Sequence, residues 1–81
     1  MERINEGYKI VQAVRIGRTE EVVIGFNPKA VQPYVCWYCL NGGNYFTGHY
    51  DYSFKGALKD LAVRIINVYD SLPHDWEEAN Q

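Results

Sequence analysis

Two cysteines and two histidines are the residues of this 81-residue chain with the widest chemical repertoire. Cys36 and Cys39 form a C-x-x-C pair. In a redox motif the first cysteine of such a pair lies at a helix N-terminus, which lowers its pKa. Here the pair lies in an apolar segment typical of a strand, where residues three apart point to opposite faces. We therefore expect two separated thiols that pack as small hydrophobic side chains.

The remaining candidates do not assemble into a metal or catalytic site by spacing alone. Structural zinc prefers four ligands with closely spaced cysteines on a tight turn, and only His49 and His74 accompany the cysteine pair. His49, next to Tyr50 and Asp51, is a candidate acid–base group, but no positioned nucleophile accompanies it. A small two-layer domain seldom encloses a ligand cavity. We expect no catalytic residue, metal, cofactor or small-molecule substrate, and no enzyme activity.

The elements that must position these residues are predicted to be strands followed by one helix. Alternation of apolar and polar residues indicates strands at 8–16, 21–26, 34–40 and 45–50. Asn41-Gly42-Gly43-Asn44 is a strong hairpin turn signal, because these residues accept positive φ angles. Ser53 is a good N-cap for a helix that Pro73 ends. The predicted fold is α+β: an antiparallel meander of three to four strands packed in two layers on one long C-terminal helix.

Periodicity also predicts which side of each element is apolar. In the first strand, Tyr8, Ile10, Val14 and Ile16 are expected to share one side. One helix stripe comprises Phe54, Leu58, Leu61, Ala62, Ile65, Val68, Tyr69 and Leu72. The opposite, solvent-facing side is expected to carry Lys55, Lys59, Asp60, Arg64, Asn67 and Asp70.

Length and composition predict a single cytoplasmic domain spanning 1–81, with flexible ends at 1–6 and 74–81. The net charge of −2 gives no general attraction to nucleic acid or anionic lipid. The polar amino terminus is not a signal peptide, and no stretch has the roughly 18 apolar residues that span a bilayer. Two reduced thiols suit the cytosol. Trp76 is expected to fold back over an end of the core.

The least usual feature of the sequence is a stretch without charge. No Asp, Glu, Lys or Arg occurs from residue 30 to residue 50, although this stretch contains six large aromatic residues. A helix covers only one face of a sheet, so some of these rings must point away from it. A rimmed aromatic patch commonly marks a contact site. The alternative is that the rings pack against one another and against the proline loop at 27–33.

These features favour a non-enzymatic protein-interaction module that contacts another protein or itself, as a homodimer. The expected anchors are Trp37, Tyr38, Tyr45 and Phe46. Tyr34 and Tyr50 are expected at the rim of the same uncharged aromatic sheet face.

Nucleic-acid binding is the alternative function, because aromatic sheet faces stack unpaired bases. The same rings would be assisted by Lys9, Arg15 and Arg18. A three-stranded sheet followed by a helix also looks like the amino-terminal DNA-binding domains of some conjugative-transposon integrases. Glu20 and Glu21 lie opposite the basic residues, and the aromatic strands carry no base. Contact with phosphates would therefore depend on few cations.

Several short segments carry a resemblance to known sequences. They are Gly7-Tyr8-Lys9-Ile10, Arg15-Ile16-Gly17, Gly25-Phe26-Asn27-Pro28, Tyr34-Val35-Cys36-Trp37, Asn44-Tyr45 and Gly48-His49-Tyr50. Together they resemble small uncharacterised proteins carried on conjugative elements and prophages of gut Firmicutes, over roughly 7–69. That group has no established function. The resemblance implies a mobile genetic element as the genomic setting and modestly favours contact with another protein.

Overall fold

The computed structural model describes residues 2–71, which form a five-stranded antiparallel sheet and one helix. The elements are β1 (Ile4–Asn5), β2 (Tyr8–Arg15), β3 (Glu20–Phe26), β4 (Tyr34–Leu40), β5 (Asn44–Asp51) and α1 (Phe54–Ser71). The strands lie in sequence order, so the predicted α+β meander with two layers is confirmed. The strand count is five rather than three to four, because the two-residue β1 pairs with β2. The expectations for Pro73, His74 and Trp76 lie outside the described residues.

A bulge in β2 moves its side chains from one face of the sheet to the other. Ile10 pairs with Gly25 and Gln12 pairs with Ile24, which leaves Val11 as the extra residue. An extra residue reverses the alternation beyond it. Tyr8 and Ile10 therefore lie on the face away from α1, here called the far face, whereas Val14 and Ile16 lie on the helix face. The expectation that these four residues share one side is wrong.

The helix face holds one of two cores. Val22, Ile24 and Cys36 are fully buried against Ala57 and Leu61 of α1. The helix begins as predicted, because the Gly56 backbone N–H donates to Ser53 Oγ at 3.1 Å. The N-cap assignment of Ser53 is confirmed.

The buried side of α1 is rotated relative to the predicted stripe. Ala57 is fully buried, whereas Leu58 and Ala62 are exposed. The physical reason is the position of the helix, which contacts β3, β4 and β5. Residues expected on the solvent side, Asp60 and Arg64, are therefore half-buried beside β5.

The far face carries a second core although α1 lies on the opposite face of the sheet. Tyr8, Val23, Val35, Trp37 and Cys39 are buried there. The Arg3 side chain lies across this face and donates to Glu21 Oε1 at 2.9 Å and to the Tyr45 hydroxyl at 3.1 Å. The loop 27–33 covers its other end, where the Tyr8 hydroxyl donates to the Gln32 carbonyl at 2.9 Å.

The two cysteines lie in different cores. Cys36 belongs to the core under α1 and Cys39 belongs to the far-face core. The predicted separation of the thiols on opposite faces is confirmed, and it follows from their spacing along one strand. Burial raises the pKa of the Cys36 thiol to about 11. Among the described residues, no helix combines the length and apolar character that crossing a membrane requires.

Candidate functional site

The six aromatic residues proposed as a contact face are divided between the two faces of the sheet. Tyr38 pairs with Phe46 on the helix face, where Tyr34 also packs. Trp37, Tyr45 and Tyr50 lie on the far face. The division follows from strand alternation in β4, with a bulge in β5 that changes its register between these pairs.

The far-face rings pack mainly on one another. Trp37 is only 3% exposed and meets Tyr8 edge-on, with ring centroids 5.8 Å apart. Tyr45 and Tyr50 contact the same indole at 5.6 and 6.5 Å. Trp37 therefore has almost no surface to offer a partner, in contrast to the exposed anchor expected from the sequence. This face therefore matches the alternative interpretation of the sequence, in which the aromatic rings pack against one another.

The helix face leaves a groove open to solvent at the end of the sheet. This apolar groove has a volume of about 380 Å³. Its walls come from the β2–β3 turn, the β4–β5 hairpin and α1, and it is lined by Ile16, Gly17, Glu20, Glu21, Tyr38, Cys39, Leu40, Phe46 and Val68. Two of the proposed anchors, Tyr38 and Phe46, lie here with their rings 5.7 Å apart. Phe46 is 41% exposed, so it is accessible to a partner.

A second concave site lies between β5 and α1. This His49 cleft has a volume of about 310 Å³ and is lined by Tyr38, Thr47, His49, Asp60, Val63, Arg64 and Asn67. The Arg64 guanidinium lies over the Tyr38 ring, 4.6 Å from its centroid. Thr47 has a φ of +55°, in the left-handed region that a β-branched residue rarely adopts. Strain of this kind concentrates at functional sites.

Three potential ligands converge at the edge of the His49 cleft. His49 Nδ1 lies 2.6 Å from Asp60 Oδ2 and 3.4 Å from Asp51 Oδ2. The hydrogen bond to Asp60 raises the pKa of His49, which favours the protonated imidazole. Burial, together with the neighbouring Asp60 carboxylate, raises the pKa of Asp51. Burial opposes the charged form of Asp60, but the neighbouring Asp51 and His49 side chains outweigh it and lower the pKa of Asp60.

Sequence reasoning missed the helical half of this site. His49 and Asp51 are near neighbours in the chain, but the helix pattern predicts Asp60 and Arg64 on the solvent side of α1. A usable signal was present, since His49-x-Asp51 on a strand directs both side chains to one face. Its relation to Asp60 depends on where the helix crosses the sheet, which periodicity does not specify.

The basic residues of the nucleic-acid alternative are only partly brought together. Lys9 pairs with Glu2 at 3.0 Å, away from the hairpin. Arg15 and Arg18 line a shallow depression of about 280 Å³ together with Thr19, Glu21, Asn41 and Gly42. That lining includes none of the six aromatic residues, although Glu21 also lines the apolar groove that holds Tyr38 and Phe46.

No family model, curated protein or solved structure matches this chain. The apolar groove and the His49 cleft are therefore the basis for functional proposals.

Proposed function

We propose that this chain is a non-enzymatic protein-interaction module that binds a second copy of itself through the apolar groove. The observation that carries the proposal is the groove itself, which leaves Tyr38, Leu40 and Phe46 facing solvent between two turns and a helix. An exposed apolar concavity rimmed by polar residues is typical of an interaction site. Phe46 and Tyr38 keep the role of anchors, whereas Trp37 acts as structural support beneath the hairpin.

An exposed apolar row on the same chain supports self-association. The outer side of α1 exposes Val63 and Ile66, the latter by 57%. Two copies that each insert this row into the other's groove would form a closed dimer with two equivalent contacts. Charge is complementary as well, because Glu20 lines the groove and Lys59 lies on the outer side of α1.

The test is solution mass by light scattering over a concentration series, with substitutions on each half of the interface. Phe46→Ser changes the groove and Ile66→Ser changes the helix row. Burying the exposed part of Phe46 is worth about 1 kcal/mol per site. Two sites per dimer give about 2 kcal/mol, so Phe46→Ser should raise the dimer dissociation constant roughly 30-fold. Tyr52→Ser is the matched control, because Tyr52 is 72% exposed and lies outside both surfaces.

Charge reversal tests the orientation of the two copies. Glu20→Lys and Lys59→Glu should each weaken the dimer, by roughly two- to fivefold for exposed charges. The double variant should recover the affinity of the unsubstituted chain. A chain that is monomeric at every concentration, or a dimer indifferent to Phe46→Ser and Ile66→Ser, contradicts the proposal.

Nucleic-acid binding remains a second proposal because Arg15 and Arg18 share one depression. It predicts affinity for a fluorescent single-stranded oligonucleotide that falls steeply as salt rises and is lost in Arg15→Ala with Arg18→Ala. Binding indifferent to salt counts against it.

The cytoplasm and a mobile genetic element are proposed as the setting of this module. The cytoplasmic placement is supported by the two free, buried thiols, since the cytosol keeps thiols reduced. The mobile-element setting is supported by the short sequence segments that carry the resemblance.

A further inference from the structure

We propose that His49, Asp51 and Asp60 form a binding site for a divalent first-row transition metal, with Zn²⁺ as the best-matched ion. The proposal goes beyond the interaction module and departs from the expectation of no metal. One imidazole nitrogen and two carboxylate oxygens, all within 4.8 Å of one another, constitute the donor set. Imidazole together with carboxylate suits zinc and its neighbours rather than Mg²⁺ or Ca²⁺, which prefer oxygen alone.

The fold places these donors on a supported frame. His49 and Asp51 are two residues apart on β5 and pair with Cys36 and Tyr34, so both face α1. Asp60 meets them from the helix. The edge strand β5 thus supplies two ligands, and α1 supplies one. Ligands on a strand and a helix are held in position more firmly than ligands on a loop.

The distances from His49 to the two carboxylates require only a small adjustment. Ligand atoms about 2.0–2.2 Å from a tetrahedral zinc ion lie roughly 3.2–3.6 Å apart. The separation of His49 Nδ1 from Asp51 Oδ2 is already 3.4 Å. His49 Nδ1 lies 2.6 Å from Asp60 Oδ2, so the imidazole must move away from Asp60 by less than about 1 Å. The His49 side chain is 61% exposed, which permits this movement.

Two unsatisfied polar atoms independently indicate a ligand at this place. Asp51 Oδ2 is buried and makes no hydrogen bond among the residues that the structure describes; its ion-pair partner, His49 Nδ1, lies 3.4 Å away. Arg64 Nη1, in the adjoining cleft, is also buried without a partner among those residues. Buried polar atoms are nearly always hydrogen-bonded, and exceptions often mark an ion or a water molecule. A metal ion would satisfy the Asp51 oxygen directly.

The charges of the site are consistent with a cation. Asp51 and Asp60 bring two carboxylates close together, and Arg64 is the nearby permanent cation. Three protein ligands leave a fourth position of a tetrahedral ion open. That position adjoins the His49 cleft, where Arg64 and Thr47 could contact a small anion or water bound to the metal.

The test is titration of the chelator-treated 81-residue chain with Zn²⁺, read by competition with a chromophoric chelator. We expect one ion per chain, a raised melting temperature, and weaker binding of Mg²⁺ and Ca²⁺. His49→Gln should lower zinc affinity at least tenfold without loss of the fold, because this side chain is exposed. Asp60→Asn should have a similar effect. Asp70→Asn is the matched control, since it removes the same charge from an exposed position on the same helix.

Two readouts separate this site from adventitious binding. Co²⁺ added to the chelator-treated chain should give visible absorption typical of nitrogen and oxygen ligands, without the intense near-ultraviolet band of thiolate ligation. Zinc binding unchanged in both His49→Gln and Asp60→Asn would overturn the proposal, as would tighter binding of Mg²⁺ than of Zn²⁺. Phe46→Ser weakens the proposed dimer but leaves all three ligands in place, so it should leave zinc affinity unchanged.

Discussion

Gly25 is the position at which the structure makes the sharpest prediction about stability. A Cβ atom added there would lie 2.9 Å from Tyr8 Cβ, 3.0 Å from Trp37 Cζ3 and 3.1 Å from Val35 Cγ1. These separations are shorter than normal carbon contacts of about 3.5–4.0 Å. Each neighbour would have to move by roughly half an ångström or more.

None of these three neighbours of Gly25 can move away easily. Tyr8 Cβ is attached directly to its backbone, and the β-branched Val35 is stiff at χ1. Trp37 is also held from the other side, because a Cβ on Gly48 would lie 2.7 Å from Trp37 Nε1. Inserting a methyl group into a packed core costs about 1–3 kcal/mol. The alanine also lowers the conformational entropy of the unfolded chain, which offsets about 0.4–1 kcal/mol of this destabilisation. We expect Gly25→Ala to lower the free energy of unfolding by about 1.5 kcal/mol and the melting temperature by roughly 6–12 °C.

The assay is urea and thermal unfolding followed by circular dichroism, with Gly43→Ala as the control. A Cβ on Gly43 meets no atom within 4 Å, so that variant should be equal to the parent or slightly more stable. Trp37 fluorescence in a Trp76→Phe background should also shift in Gly25→Ala. If Gly25→Ala and Gly43→Ala are equally stable, the packing of the far-face core around Trp37 is not as described.

Two further predictions concern titratable side chains. Because burial raises the pKa of Cys36 to about 11, a Cys39→Ala variant should react with a disulfide reagent at pH 8 far more slowly than free cysteine does; labelling at the free rate would contradict this burial. In metal-free protein, nuclear magnetic resonance should place the His49 pKa above its usual 6.5, and Asp60→Asn should lower it. Since the folded-state pKa is raised, the His49–Asp60 pair stabilises the fold below the unfolded-state pKa, and this contribution is lost as pH rises through the folded-state value. Unfolding free energies of the parent and Asp60→Asn should therefore converge as pH rises from about 6 to 8, and a constant difference would refute the pairing.

Much of the architecture could be predicted because it depends on local pattern. Alternating apolar residues and the Asn41–Asn44 turn define the strands around the hairpin, and Ser53 defines where α1 begins. The opposite burial of Cys36 and Cys39 follows from strand alternation alone. These features need only short-range sterics and period, which are properties of the chain itself.

The candidate sites depended on contacts that no local pattern encodes. The bulge at Val11 reverses the sides of β2, and the bulge in β5 assigns Phe46 and Tyr50 to different faces. One extra residue exchanges the two faces, yet it leaves hydrophobic composition unchanged.

The placement of α1 on the sheet decided which helix residues meet the strand residues of the candidate sites. A helix stripe predicts that one side is buried, but the rotation of that side depends on which strands lie beneath it. Because α1 lies over β3, β4 and β5, Asp60 meets His49 and Asp51 at the sheet edge. The sequence by itself determined the elements and their order. Only the tertiary structure brought these three side chains together and left Tyr38 and Phe46 in an open groove, since both results arise from packing between distant segments.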